Sequence, residues 1–190
     1  MNLIEQRVLN SAQIIEGHII KVDHFLNHQM DVELISEMAN LFYEYFKEKE
    51  INKIITCEAS GIGIAVICGL KFNVPIVFAK KNSRMDENPN NYQAKVFSYT
   101  KHLETQFNID KRFLSKDDKV LIIDDFLANG EAMRGLINII DQSQASIEGI
   151  GVVIEKGFQP GGDWLREKGH DLYSLCIIDK ITDSRIQLRK

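Results

Sequence analysis

Apolar residues recur along this chain at two different periods. Leu3, Ile4, Val8, Ala12 and Ile15 fall at helical spacing with Gly17 as a stop, which predicts an N-terminal helix over residues 3–15. Residues 18–23 then read as a short strand. Asp31 is placed to cap a helix whose Leu34, Ile35, Met38, Leu41, Phe42, Tyr45 and Phe46 form a broad apolar stripe. Beyond it the pattern changes to short unbroken apolar runs, over residues 54–57, 75–79, 120–123, 150–154 and 172–178. A helix-like stretch follows the first run up to Leu70, and another follows the third through Met133, Leu136, Ile137 and Ile140. Trp164 belongs to a further helix after Pro160. Apolar strands alternating with helices predict an α/β fold, a mainly parallel sheet with helices on both faces. Ligands of such sheets sit beyond the carboxyl ends of the strands.

One stretch breaks the rhythm. Residues 80–93 hold four asparagines and almost nothing apolar, and open on the pair Lys80 and Lys81. A polar segment of that length predicts a functional or mobile surface loop, spanning residues 80–95. Residues 96–100 and 107–113 suggest a ribbon at its base.

Composition narrows the picture only a little. The chain has 190 residues, 44% of them hydrophobic and 26% charged, with no repeat or Gly/Ser linker, so residues 1–190 read as one domain. A formal charge of -4 argues against an open nucleic-acid grip but leaves room for a small phosphorylated ligand. No apolar stretch is long enough to span a membrane, and the N-terminus lacks a signal-peptide core, so a cytoplasmic protein is expected. Cys57, Cys68 and Cys176 form no CxxC and read as reduced core residues. The five histidines make no recognisable ligand set.

The chemistry concentrates after the third run. Val120, Leu121, Ile122 and Ile123 deliver a strand to its carboxyl end, where Asp124 and Asp125 follow, then Phe126, Leu127, Ala128, Asn129, Gly130, Glu131 and Ala132. Adjacent carboxylates there can accept hydrogen bonds from vicinal hydroxyls or stand near a hydrated cation. Small residues let the backbone turn tightly into a helix whose first amides can surround a phosphate.

This order resembles the ribose-5-phosphate motif of the type I phosphoribosyltransferases. The resemblance runs over almost the whole chain. Glu58, Ala59, Ser60 and Gly61 stand where that family has its pyrophosphate loop, and Lys80–Lys81 where its closing loop begins. Glu155, Lys156, Gly157, Phe158, Gln159 and Pro160 stand where purine-specific members bind the base. The segment from Lys21 to Gln29, with the phosphate motif, is most similar to bacterial members whose base is xanthine. Two positions depart from the common motif: Asn129 and Ala132 replace hydroxyl residues found in many members, which shifts weight onto backbone amides. Ala128 stands where hypoxanthine-type members carry an aspartate.

The resemblance implies a pentosyl transfer from 5-phosphoribosyl 1-pyrophosphate to xanthine, giving the nucleoside monophosphate and pyrophosphate. It implies Asp124 and Asp125 at the ribose hydroxyls, with Ala128, Asn129, Gly130, Glu131 and Ala132 around the 5-phosphate. Ser60, Gly61 and Lys81 (or Lys80) would meet the pyrophosphate, with Glu58 orienting that loop. Lys156 suits an oxo group on the base, beside Phe158, while Ile20 walls the ring and Asn27 reads the 2-oxo edge. Residues 1–50 thus contribute to the base site. Mg²⁺ is expected as a companion of phosphoribosyl pyrophosphate with no firm protein ligand, and a homodimer is expected because family members commonly form one. A guanine, hypoxanthine or adenine transferase is the near alternative, and a phosphoribosyl-pyrophosphate-sensing regulator of the same fold a remote one.

Overall fold

The computed structural model describes residues 1–15, 19–82, 87–98, 103–182 and 185–189. Gly17, His18, residues 83–86 of the polar segment, Thr100 and His102 lie outside that set. Among the described residues, ten strands and five α-helices follow in the order α1 (Leu3–Ser11), β1 (Gln13–Ile15), β2 (Ile19–Lys21), α2 (Val32–Phe46), β3 (Lys53–Cys57), α3 (Ser60–Phe72) and β4 (Ile76–Asn82). Then come β5 (Asn91–Ser98), β6 (Leu103–Asp110), β7 (Lys119–Leu127), α4 (Glu131–Ser143), β8 (Ser146–Lys156), α5 (Gly161–Glu167), β9 (Leu172–Thr182) and β10 (Arg185–Leu188).

The main sheet has the order β10-β9-β8-β7-β3-β4-β6-β5. Its centre, β9-β8-β7-β3-β4, is parallel throughout, while β10, β6 and β5 join antiparallel at the edges. Val120, Leu121, Ile122 and Ile123 are all fully buried, which is why the central strand reads as an unbroken apolar run. Two buried clusters cover the two faces. One joins α1, α2 and α3 through Ile4, Val8, Phe42, Phe46, Ile64 and Cys68. The other joins α4, α5 and the β5–β6 ribbon through Met133, Leu136, Leu165, Val96 and Phe107. The α/β architecture expected from the alternation is therefore the observed one.

From β3 the chain moves outward to β4, and from β7 it moves the other way to β8 and β9. Helix α3 accordingly lies on one face and α4 on the other, and the carboxyl ends of β3 and β7 flank a topological switch point.

Several expectations need correction. The N-terminal helix stops at Ser11, and Gln13–Ile15 instead pairs antiparallel with Ile19–Lys21, Ile14 facing Ile20. Ala12 caps α1, its N–H donating to the Val8 carbonyl, while Ile15, though at helical spacing, pairs with Ile19 instead. The strand read over residues 18–23 is confined to Ile19–Lys21, and Asp23–Asn27 forms a wide helical turn. The polar segment is not one loop: β4 runs on through Lys80, Lys81 and Asn82, which face Asn108, Phe107 and Gln106, and β5 already starts at Asn91. Beyond Ala79, β4 has β6 beside it but no longer β3, and a strand with an open, solvated side carries polar residues without losing its ladder. Strand β10 has no counterpart among the expected elements. The Asp31 cap is as expected, its carboxylate accepting the Leu34 N–H at 3.1 Å. Among the described residues no helix is long and apolar enough to cross a membrane.

Candidate functional site

Asp124 and Asp125 lie inside β7 rather than beyond it. The strand continues to Leu127 because β8 runs alongside, Asp124 facing Val152 and Leu127 facing Glu155. Strand β3 pairs with β7 only as far as Ile122, so the two carboxylates have an open edge on that side. Asp124 is 3% and Asp125 8% exposed. The Asp125 N–H donates to Asp124 Oδ1 at 3.0 Å, and the Cys57 thiol donates to the same carboxylate at 3.8 Å. Burial pushes the Asp124 carboxyl well above the usual carboxylate range, and the neighbouring Asp125 pushes further; the Lys81 ammonium offsets part of this. Asp124 thus tends to keep its proton, and the pair can donate as well as accept.

Two turns into helices border this pair. After β3, the Glu58–Ala59 peptide is cis, and Ser60 and Gly61 form the first turn of α3, where backbone amides lack helical partners. The Glu58 carboxylate accepts the Lys81 backbone N–H, and the Glu58 N–H donates to the Ala79 carbonyl at 3.1 Å. Glu58 thereby stitches this turn to β4. A side chain at Gly61 has no room, since its Cβ would lie 2.0 Å from Thr56 Oγ1 and 3.1 Å from Asp124 Oδ1. The Thr56 hydroxyl is fully buried and has no hydrogen-bond partner among the described residues. After β7, Ala128 and Asn129 lead to Gly130, whose φ of 89° and ψ of 7° favour glycine, and Glu131 and Ala132 begin α4. The Ala128 carbonyl accepts the Gly161 N–H at 3.1 Å.

The ambiguity between the two lysines resolves by strand alternation. Lys81 stands 5.6 Å from the Phe107 ring centroid, and its charge is felt by Cys57 and Asp124. Its neighbour Lys80 instead lines a separate groove of about 480 Å³ with Ile76, Phe78, Asn108 and Arg112. Lys81 is therefore the lysine on the aspartate side.

At the other end, Lys156 closes β8, half-buried, and burial lowers its pKa. Its ammonium lies 5.9 Å from the Phe126 ring centroid. Ile20, 6% exposed, and Phe126 belong to one cluster with Cys176 and Ile178, the last facing Lys156 across the sheet. Asn27 and Phe158 are both exposed and stand outside that cluster.

Sequence reading passed over Thr56 and gave Cys57 and Glu155 no role of their own. Thr56 and Cys57 look like ordinary members of an apolar run. Glu155, 1% exposed, takes both arms of Arg166 at 2.8 and 2.7 Å and the Ser174 hydroxyl. Burial would raise its pKa, but these hydrogen bonds hold it below the usual range. The only signal was a lone acid ending an apolar strand. The thiols of Cys68 and Cys176 are each pushed up to about 12 by burial, so both are protonated core groups.

A buried carboxylate pair at a switch point, between a glycine turn with free amides and a half-buried lysine, has the layout of a site for a sugar phosphate. The phosphoribosyl transferase domain model matches residues 21–184, and the chain belongs to that family. It is 48% identical over 186 residues to the xanthine phosphoribosyltransferase of Finegoldia magna, covering 98% of each chain. It is 50% identical to the xanthine phosphoribosyltransferase of Ruminiclostridium cellulolyticum, with the same coverage. Among solved structures, adenine phosphoribosyltransferase from Trypanosoma brucei, in complex with AMP, pyrophosphate and ribose-5-phosphate, superposes with a TM-score of 0.74. That match is 16% identical and covers 97% of this chain and 84% of the other, so it speaks to the fold.

Proposed function

We propose that this protein transfers the 5-phosphoribosyl group from phosphoribosyl pyrophosphate to xanthine, releasing pyrophosphate and forming xanthosine 5'-monophosphate. The observation that carries the reading is the placement of Asp124 and Asp125 at the switch point, between the Gly130 turn and Lys156. The xanthine phosphoribosyltransferases matched over 98% of their length support the base.

In this reading a ring nitrogen of the base bonds to C1 of the ribose as the C1–O bond to pyrophosphate breaks, and the base loses the proton of that nitrogen. The chain's work is alignment and electrostatics, which at best remove on the order of 7–11 kcal/mol from such a barrier through alignment. Asp124 and Asp125 accept the ribose hydroxyls. The amides from Ala128 to Ala132 surround the 5-phosphate, those of Ser60 and Gly61 receive the pyrophosphate, and Lys81 neutralises it. Lys156 donates to the base oxygen over the face of Phe126, Ile20 walls the ring, and Asn27 and Phe158 close over it. Among the described residues no three His, Cys, Asp or Glu side chains converge as a metal cage. A magnesium ion brought by phosphoribosyl pyrophosphate would have Asp124 and Asp125, with their open edge toward β3, as the carboxylates on offer. The ion supplies charge compensation for the leaving group.

A purine panel tests the proposal. With magnesium and phosphoribosyl pyrophosphate, kcat/KM for xanthine is expected to exceed that for guanine, hypoxanthine and adenine by at least about tenfold, as hydrogen-bonding sites discriminate. A preference for another purine would overturn the specificity, and absence of any nucleotide product would overturn the enzyme.

A further inference from the structure

We propose that helix α5 is a brace for the turn that cradles the 5-phosphate, locked by the grip of the exposed Arg166 on the buried Glu155, so that Gly161, Arg166 and Glu155 position phosphoribosyl pyrophosphate without touching it. The inference rests on the functional reading above and goes beyond it, because none of the three belongs to the binding set.

The contact between brace and turn is backbone on backbone. The Gly161 N–H donates to the Ala128 carbonyl at 3.1 Å. A Cβ at Gly161 would lie 2.4 Å from that oxygen and 2.9 Å from the Gly130 nitrogen, and a Cβ at Gly130 would lie 3.2 Å from the Gly161 Cα. The two atoms nearest a Cβ at Gly161 are main chain, with Leu127 Cδ1 third at 3.0 Å, so a shift of α5 is passed to the turn.

What fixes α5 is charge. Glu155, one residue before the end of β8, stands opposite Leu127, directly beside the turn. Arg166, in the last turn of α5, grips it with both arms at 2.8 and 2.7 Å, and the Ser174 hydroxyl of β9 adds a third bond. The start of the helix rests on the same carboxylate, since a Cβ at Gly162 would lie 2.1 Å from Glu155 Oε1. On the other flank, the Trp164 ring carries the Arg134 guanidinium 3.7 Å from its centroid, tying α5 to the first turns of α4. An ion pair with one partner exposed adds little stability of its own. A two-armed pair instead fixes distance and angle together, which suits a part whose job is position.

Misplacing a binding group by about 1 Å can cost on the order of 100-fold. Gly161→Ala is therefore expected to raise KM for phosphoribosyl pyrophosphate by about tenfold or more, within that limit, while KM for xanthine stays within about twofold. Arg166→Gln should raise the same KM severalfold, with Arg166→Lys intermediate because it restores the charge but not the fork. Calorimetry with magnesium and phosphoribosyl pyrophosphate should show the same loss without turnover. Wild-type KM and affinity in the folded variants, or an equal rise in KM for both substrates, would overturn the brace. Should Gly161→Ala not fold, the two Arg166 variants decide. If the wild-type protein makes no nucleotide, the functional reading fails, and calorimetry with ribose 5-phosphate still tests the brace on its own.

Discussion

The two turns at the switch point do similar work on different supports. The turn after β3 abuts side chains: the atoms that crowd Gly61 are Thr56 Oγ1 and Asp124 Oδ1. The turn after β7 abuts backbone first: the atoms nearest a Cβ at Gly130 or Gly161 are main-chain ones, with Leu127 Cδ1 and Trp164 Cε3 farther out. Side chains can rotate away, whereas a packed main chain moves only with its whole segment. The first turn is thus built to adjust, with a buried hydroxyl still lacking a partner beneath it. The second is built to stay. In the proposed reading, where pyrophosphate meets the first turn and the 5-phosphate the second, a departing group and an anchor call for those two behaviours.

The sharpest way to break the comparison is at Asp124, which touches the first turn and precedes the second. Asp124→Asn should lower kcat/KM on the order of 100-fold or more, as loss of a group aimed at the reacting sugar does. The same change should stabilise the fold at neutral pH. Because Asp124 holds its proton more tightly folded than unfolded, its contribution to stability is greatest at low pH and is lost as pH rises through its raised folded pKa. Asparagine carries no charge to bury, so the Tm advantage of the variant should widen as pH climbs from about 4, the ordinary carboxyl range. A constant Tm difference across pH would contradict the burial argument.

Next in size are the glycines. Gly61→Ala should cost about 1–3 kcal/mol by overpacking, along with much of the activity. Adding Thr56→Ala should restore a good part of both, since it removes the obstructing oxygen. Gly130→Ala should lose about 1–2 kcal/mol from its left-handed backbone alone, and no single side-chain deletion should recover it. A double-mutant cycle by denaturant unfolding checks both halves. Equal rescue at the two turns would erase the distinction.

The smallest contrast lies in the lysine pair. Lys81→Ala should raise KM for phosphoribosyl pyrophosphate about tenfold, the worth of a charged hydrogen bond, and Lys80→Ala should leave it within about twofold. Steady-state kinetics on the two variants would reverse the assignment if Lys80 mattered more.

The parallel core was legible because strands buried on both faces must be continuously apolar, and residues 120–123 advertise that plainly. The aspartates were legible as chemistry but misplaced as structure. Polarity reads as a strand end, yet β8 kept Asp124 and Asp125 in register. The same bias turned Lys80, Lys81 and Asn82 into loop, although their partners on β6 hold them in a ladder. Lys81 against Lys80 could not be separated by sequence, since only the strand's phase decides which face each takes. Thr56 and Cys57 were hidden by their neighbours, and their proximity to Gly61 and Asp124 exists only once β3 and β7 lie side by side. Glu155 needed Arg166, 11 residues away, to be recognised as anything but a turn acid.

Trp164, the chain's single tryptophan, lies under the Arg134 guanidinium and on the helix that abuts the phosphate turn. Its emission therefore comes from one known spot, quenched or released as that cation shifts. If the proposed 5-phosphate site is right, adding phosphoribosyl pyrophosphate should change that emission, readable in a fluorimeter without a label or a coupled assay.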